Sequence, residues 1–162
     1  MKKIFKIFLL FVFPIIAYSQ EVNSKAPEFS AADINGNIIK LSDLSGKVVL
    51  VDFWASWCIP CKKSMPHLVQ TFNSLSDSSF TIVSVNVDTE KEKIKEFQSS
   101  LGIEIPFTII FDKESKLPAL YNVEGMPTVI IIDKQGTIKL KEVGFDDSIE
   151  EKIDKTINKL LK

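Results

Sequence analysis

Cys58 and Cys61 are the two cysteines of this 162-residue chain, three positions apart. A dithiol at that spacing can cycle with its disulfide. One sulfur attacks a partner disulfide, a mixed disulfide forms, and the other sulfur resolves it. A purely structural staple is a poor alternative, because a bridge closing so short a loop restricts the unfolded chain very little. Zinc needs four protein ligands at a structural site, or three at a catalytic one. Beyond the two cysteines the chain offers only His67 and carboxylates, and no later histidine exists to complete a copper carrier. No metal is expected, and no cofactor beyond the redox-active Cys58–Cys61 pair.

The elements around the pair must position it. Lys47 to Trp54 is a nearly continuous apolar, β-branched run, as in a strand buried on both faces. After the cysteines, Met65, Leu68, Val69, Phe72 and Leu75 recur at helical spacing. The pair therefore sits where a strand hands over to a helix, with Cys58 before the first turn and Cys61 inside it. A helix N-terminus offers unpaired N–H groups and a positive dipole end, which favour a thiolate. Pro60 suits an early helical position, which needs no N–H donor. On this reading Cys58 is the exposed sulfur and Cys61 the partly covered one. Lowering a thiol from about 8.5 to about 7 requires about 2 kcal/mol. A helix terminus typically supplies about 0.3–1 kcal/mol. A second contribution is needed, most simply hydrogen bonds to Cys58 from nearby N–H groups and the Cys61 thiol.

The remaining elements follow by pattern. Asn35-Gly36 separates two short segments of a hairpin. Phe80 to Val87 reads as a second buried strand. Thr89 to Glu92 reads as a capping box opening a helix that carries Ile94, Phe97 and Leu101 and stops at Gly102. Phe107 to Phe111 predicts a short strand, and Ser115 to Tyr121 a helical turn or two. Thr128–Asp133 and Thr137–Val143 flank a glycine-containing loop, and a Ser148/Glu151 capping box opens a last helix with Ile149, Ile153, Ile157 and Leu160 on one stripe. The order β-α-β-α, then a hairpin, then α predicts an α/β domain: a central mixed sheet with helices on both faces.

Composition narrows the setting. Lys2, Lys3 and Lys6 precede an apolar run from Ile7 to Ala17, and Ala17-Tyr18-Ser19 supplies small residues before a cut at Gln20. That is the pattern of a secretory signal over residues 1–19, leaving a single domain over residues 20–162. The eleven-residue run is well short of the roughly twenty a spanning helix needs, although an uncleaved anchor stays open. Periplasmic or other extracytoplasmic localisation is therefore expected. Removing the segment leaves 17 lysines against 21 acidic residues, and the chain has no arginine. Such a domain is poorly suited to phosphate backbones, which excludes nucleic acid as the main partner.

Val51-Asp52-Phe53-Trp54-Ala55-Ser56-Trp57-Cys58-Ile59-Pro60-Cys61-Lys62 resembles the active-site segment of the thioredoxin superfamily. Pro66 matches its helix-kinking proline, and Gly125-Met126-Pro127-Thr128 its cis-proline loop. Ala26-Pro27-Glu28-Phe29 and Leu41 to Lys47 are similar to the N-terminal extension of the exported TlpA/ResA-like subgroup, as is an extra stretch between residues 102 and 122. The resemblance implies a thioredoxin-like fold with an N-terminal β-hairpin extension and an insertion before the cis-Pro loop. It implies that Pro127 is cis and faces Cys58, and that the Met126 backbone pairs with a substrate strand. It gives Asp52 the role of buried acid exchanging protons with Cys61. Trp57, Ile59 and Pro60 would offer the contact surface, while Trp54, Met65 and Phe72 pack. His67 reads as an ordinary helix residue, and Lys62 and Lys63 as a solvated face.

There are departures. The position that would hold the acid's lysine partner is Ser84, and the acid that ResA-like proteins carry after the second strand matches Thr89, with Asp88 and Glu90 beside it. A peroxidase is disfavoured, because position 55 is Ala where such enzymes place Thr in Thr-x-x-Cys. Strong oxidants of the superfamily place a histidine between the cysteines; here the pair is Ile59-Pro60. The resemblance thus implies an exported thiol–disulfide oxidoreductase acting as a reductant of exported protein disulfides, apocytochrome c among them; a monomer is expected. It would be kept reduced by a membrane electron-donor protein. A thiol oxidase or isomerase, and a non-catalytic peptide-binding module, stay open at this point.

Overall fold

The computed structural model describes residues 22–75 and 79–162. The secretory-signal reading of residues 1–19 lies outside the described residues. Among the described residues no helix is long and apolar enough to cross a membrane.

Five strands form the central sheet: β3 (Val48–Trp54), β4 (Phe80–Asn86), β5 (Thr108–Phe111), β6 (Thr128–Ile132) and β7 (Ile138–Val143), in the order β5-β4-β3-β6-β7. β3, β4 and β5 run parallel, whereas β6 runs antiparallel to both β3 and β7, so the sheet is mixed as expected. Every residue of β3 is buried, which is why its sequence is a continuous apolar run broken only by Asp52. Alternation along β3 separates two cores. Leu50 and Trp54 face α1 (Cys61–Ser74), α2 (Glu92–Leu101) and α4 (Asp147–Leu161). Val49, Val51 and Phe53 face the other side, where α3 (Lys116–Leu120) and the N-terminal segment pack through Leu117, Tyr121, Phe29 and Leu41.

The N-terminal extension is a hairpin of β1 (Ser30–Ala32) and β2 (Ile38–Lys40), followed by a 3-10 turn over Leu41–Leu44. Asp33 fastens its tip, accepting the N–H groups of Asn35 and Asn37 at 2.8 Å each, and Gly36 supplies the positive φ of 90°. The extension reaches both sheet edges. Asn23 N–H donates to Ile138 O at the β7 edge, and Ile34 N–H donates to Ile109 O on β5. Edges that would otherwise present unpaired backbone are thus partly covered.

Helix starts differ from the expectation in detail. α2 begins after Lys91, whose backbone is already helical, and no side chain caps it. The Thr89 capping box does not form because the chain turns earlier, with Lys93 N–H reaching Glu90 O. α4 is capped by Asp146 rather than Ser148. Asp146 has the extended backbone a cap requires, and its carboxylate accepts Ile149 N–H at 2.9 Å, while Ser148 already lies inside the helix. Gly102 ends α2 in the left-handed conformation, as its place in the sequence predicts.

Candidate active site

β3 ends at Trp54, and the turn after it carries the cysteines to the first residue of α1. Cys58 N–H donates to Ala55 O, closing the turn, and Pro60 occupies the helix N-cap at φ −63°. Cys58 and Cys61 form a disulfide with their Cα atoms 5.2 Å apart. Cys61 N–H donates to Cys58 Sγ at 3.2 Å. In the disulfide this N–H is already aimed at the sulfur that would carry the thiolate charge. Both cysteines lie deeper than expected: Cys61 is fully covered and Cys58 only 4% exposed. The reason is packing, since both belong to the apolar cluster that holds Met65 and against which Met126 packs. Trp57 and Ile59, by contrast, stand 68% and 75% exposed on either side of Cys58. Pro60, Lys62 and Lys63 are also exposed.

The 125–128 loop enters the sheet beside this turn. The Met126–Pro127 peptide is cis. Thr128 pairs with Phe53, which places buried Pro127 level with the end of β3, where the cysteine turn leaves the sheet. Pro127 O accepts from Gly144 N–H at 2.8 Å, and Thr128 Oγ donates to Gly125 O. These bonds hold the loop from behind. Among the described residues the Met126 backbone makes no hydrogen bond, so its N–H and C=O are free for an incoming strand.

Asp52 lies two residues before Trp54 on the α1 face of β3. It is fully buried, and neither carboxyl oxygen has a hydrogen-bond partner. Loss of hydration penalises its charged form and pushes the group up to about 7. Ser84 stands opposite it on β4, but that hydroxyl accepts from the Trp54 indole N–H instead. The indole packs on Phe97 with ring centroids 4.6 Å apart.

Two arrangements were missed in the sequence. Buried Asp88, just past β4, accepts Ser56 N–H at 3.0 and 3.3 Å, Ser56 Oγ–H at 3.0 Å and an Asn86 amide N–H at 2.8 Å. The only signal for it was its place beside Thr89. His67 is no ordinary helix residue: its two ring nitrogens lie 3.3 Å from Glu150 and 3.2 Å from Asp154, joining α1 to α4. Among the described residues no group of three His, Cys, Asp or Glu is placed to hold a metal ion.

Comparisons with known proteins agree with this geometry. The AhpC/TSA family profile matches residues 22–141. The thiol-disulfide oxidoreductase ResA of Bacillus thuringiensis (strain Al Hakam) is 30% identical over 140 residues, covering 86% of this chain and 79% of its own. The chain belongs to the AhpC/TSA family. ResA of Bacillus subtilis (strain 168) is 36% identical over 115 residues, covering 71% of this chain and 63% of its own. A crystal structure assigned as a thiol:disulfide interchange protein DsbE from Chlorobium tepidum superposes with a TM-score of 0.81 at 37% identity. That match covers 89% of this chain and 100% of the other.

This AhpC/TSA-family chain is accordingly a thiol–disulfide oxidoreductase of the ResA/thioredoxin type, with the thioredoxin-like fold expected from its motifs. The structure brings Cys58, Cys61, Trp57, Ile59, Pro60, Met126 and Pro127 to one end of the sheet, with Asp52 beneath them.

Proposed function

We propose that the chain reduces disulfides of extracytoplasmic proteins, apocytochrome c before haem attachment being one such target. In the reduced protein the Cys58 thiolate attacks a target sulfur. The target S–S bond breaks, one target thiolate leaves, and a Cys58–target disulfide forms. The Cys61 proton passes to the buried Asp52 carboxylate, and the Cys61 thiolate attacks Cys58 Sγ. The second target thiolate leaves and takes up a proton, and the Cys58–Cys61 disulfide remains. Two electrons have moved from the pair to the target. A membrane electron-donor protein returns two electrons for the next cycle, with no resident metal or cofactor.

The observation that carries the reductive direction is the absence of an imidazole beside Cys58. Ile59 and Pro60 lie between the cysteines, and the single histidine, His67, is engaged by Glu150 and Asp154 on α4. The attacking sulfur is left with the helix N-terminus and the Cys61 N–H. Both support a thiolate, but less than an adjoining imidazolium would. A thiolate stabilised only this far keeps the reduced pair a good electron donor. The free Met126 backbone and exposed Trp57 and Ile59 support a target held as an extended strand across the disulfide. The signal-like pattern of residues 1–19 supports export.

Replacing Cys61 by Ser tests the cycle. Mixed disulfides with extracytoplasmic proteins are expected to accumulate on Cys58 and to be released by dithiothreitol, and the parent chain is expected to accelerate insulin reduction. A folded chain that neither traps partners as the variant nor accelerates insulin reduction would be a peptide-binding module instead.

A further inference from the structure

We infer that Asp88 is a positioning residue for Cys58: it clamps the turn that presents the sulfur and sets a negative charge against its ionisation. The inference rests on Cys58 being the attacking thiol. Four hydrogen bonds converge on the Asp88 carboxylate, three from the backbone and hydroxyl of Ser56 and one from Asn86. Asn86 is itself fixed, since its side-chain oxygen accepts Asp88 N–H at 3.1 Å and its backbone carbonyl accepts Asp112 N–H at 2.8 Å. Asp88 is 3% exposed and Asn86 fully buried. The bonds therefore form away from competing water, where acceptance by a carboxylate is strongest.

Ser56 lies two residues before Cys58. Its N–H would otherwise be unpaired in the turn between Trp54 and Cys58, so Asp88 supplies the bond that a helix or strand would have given. The clamp ties the cysteine turn to the end of β4, one strand away from its own.

The charge has a separate consequence. Among the described residues no ion pair includes Asp88. Lys62 of α1 and Lys93 and Glu96 of α2 line the same groove, of about 450 Å³, with Trp57 on its rim. Lys93 is bound to Glu96 at 2.8 Å and also feels the Asp88 charge, which it offsets in part. Lys62, four residues after Cys58, favours its thiolate, while Asp88, tied to the turn two residues before it, opposes it. The buried site is screened less than the exposed lysine, so the carboxylate charge acts on the sulfur more fully. Opposing the thiolate destabilises the reduced, ionised pair and lowers the potential, in the same sense as the missing imidazole.

The experiment compares the reduced parent with Asp88→Asn and Asp88→Glu, following Cys58 alkylation against pH and the midpoint potential against glutathione. Asn keeps the shape and one acceptor but loses the charge. Alkylation of Asp88→Asn at low pH is expected to quicken about two- to fivefold, with its midpoint moved to lower pH and the potential raised. Asp88→Glu, which keeps the charge, is expected to keep the parent midpoint. A clamp without the charge effect would slow alkylation at every pH and leave the midpoint in place, which overturns the electrostatic half. In the unmodified chain the Ser56 amide is expected to be protected from exchange. An unprotected Ser56 amide overturns the clamp, and this check needs no variant. If the parent reacts at Cys61 instead of Cys58, the functional reading itself fails, an outcome distinct from an unmoved midpoint in Asp88→Asn.

Discussion

A carboxyl group with both oxygens unpartnered in the interior, as at Asp52, binds its proton more tightly folded than unfolded. Its folded value is about 7 against an ordinary value of 3.8. Between those limits the folded chain holds a proton that the unfolded chain has released, so stability falls as pH rises from about 4 to about 7 and then levels. The shift corresponds to stability on the order of 4 kcal/mol, fully present below pH 4 and lost by pH 7. Denaturant melts across that range are expected to show the decline, and Asp52→Asn to flatten it. The same variant is expected to slow release of the Cys58–target disulfide by about tenfold or more, if Asp52 receives the Cys61 proton. Single-turnover release of a trapped target measures that step. Much at this scale was legible in the sequence. The cysteine pair declared itself by spacing, and the cis proline by its match to a family motif. Asp52 was visible as an acid in an apolar strand. The failure of Ser84 to answer it was not, because that hydroxyl's engagement by Trp54 depends on how two strands meet. The Asp88 clamp was hidden for the same reason, since Ser56 and Asp88 meet only once β3 and β4 are side by side.

Elements were legible where periodicity was strong. β3, β4 and the α4 stripe follow from apolar pattern alone, because burial on one or two faces dictates residue type directly. Caps were less legible, since several residues near each helix start could serve and the backbone angle chooses among them. At α4 that choice falls on Asp146. Asp146→Ala is expected to cost about 1 kcal/mol, read as a lower melting midpoint, while Ser148→Ala is expected to cost much less. Ile153 on the same helix is fully buried in the core under Cys61 and Met65, and Ile153→Ala is expected to cost about 2–5 kcal/mol. The His67 bridge to Glu150 and Asp154 joins the catalytic helix to α4 through carboxylates that are 43% and 44% exposed. His67→Gln is expected to cost at most about 1 kcal/mol in the same melts. Packing, rather than the ion pairs, holds α4 to α1.

For the whole molecule the sheet does two jobs. It buries an apolar layer on each face, and it gathers at one end the strand terminus, the helix start and the proline loop. The N-terminal extension fastens both sheet edges. The direction of electron flow belongs to this scale, because it reflects every group acting on one pair of sulfurs. Thioredoxin-like and strongly oxidising disulfides differ by roughly 150 mV, or about 7 kcal/mol. The missing imidazole and the Asp88 charge act toward the reducing end, against the Cys61 N–H, which supports the thiolate. The most direct measurement is the midpoint potential of Cys58–Cys61 in a glutathione buffer. A value at or below about −240 mV is expected, and a value near −120 mV would contradict the reductive account.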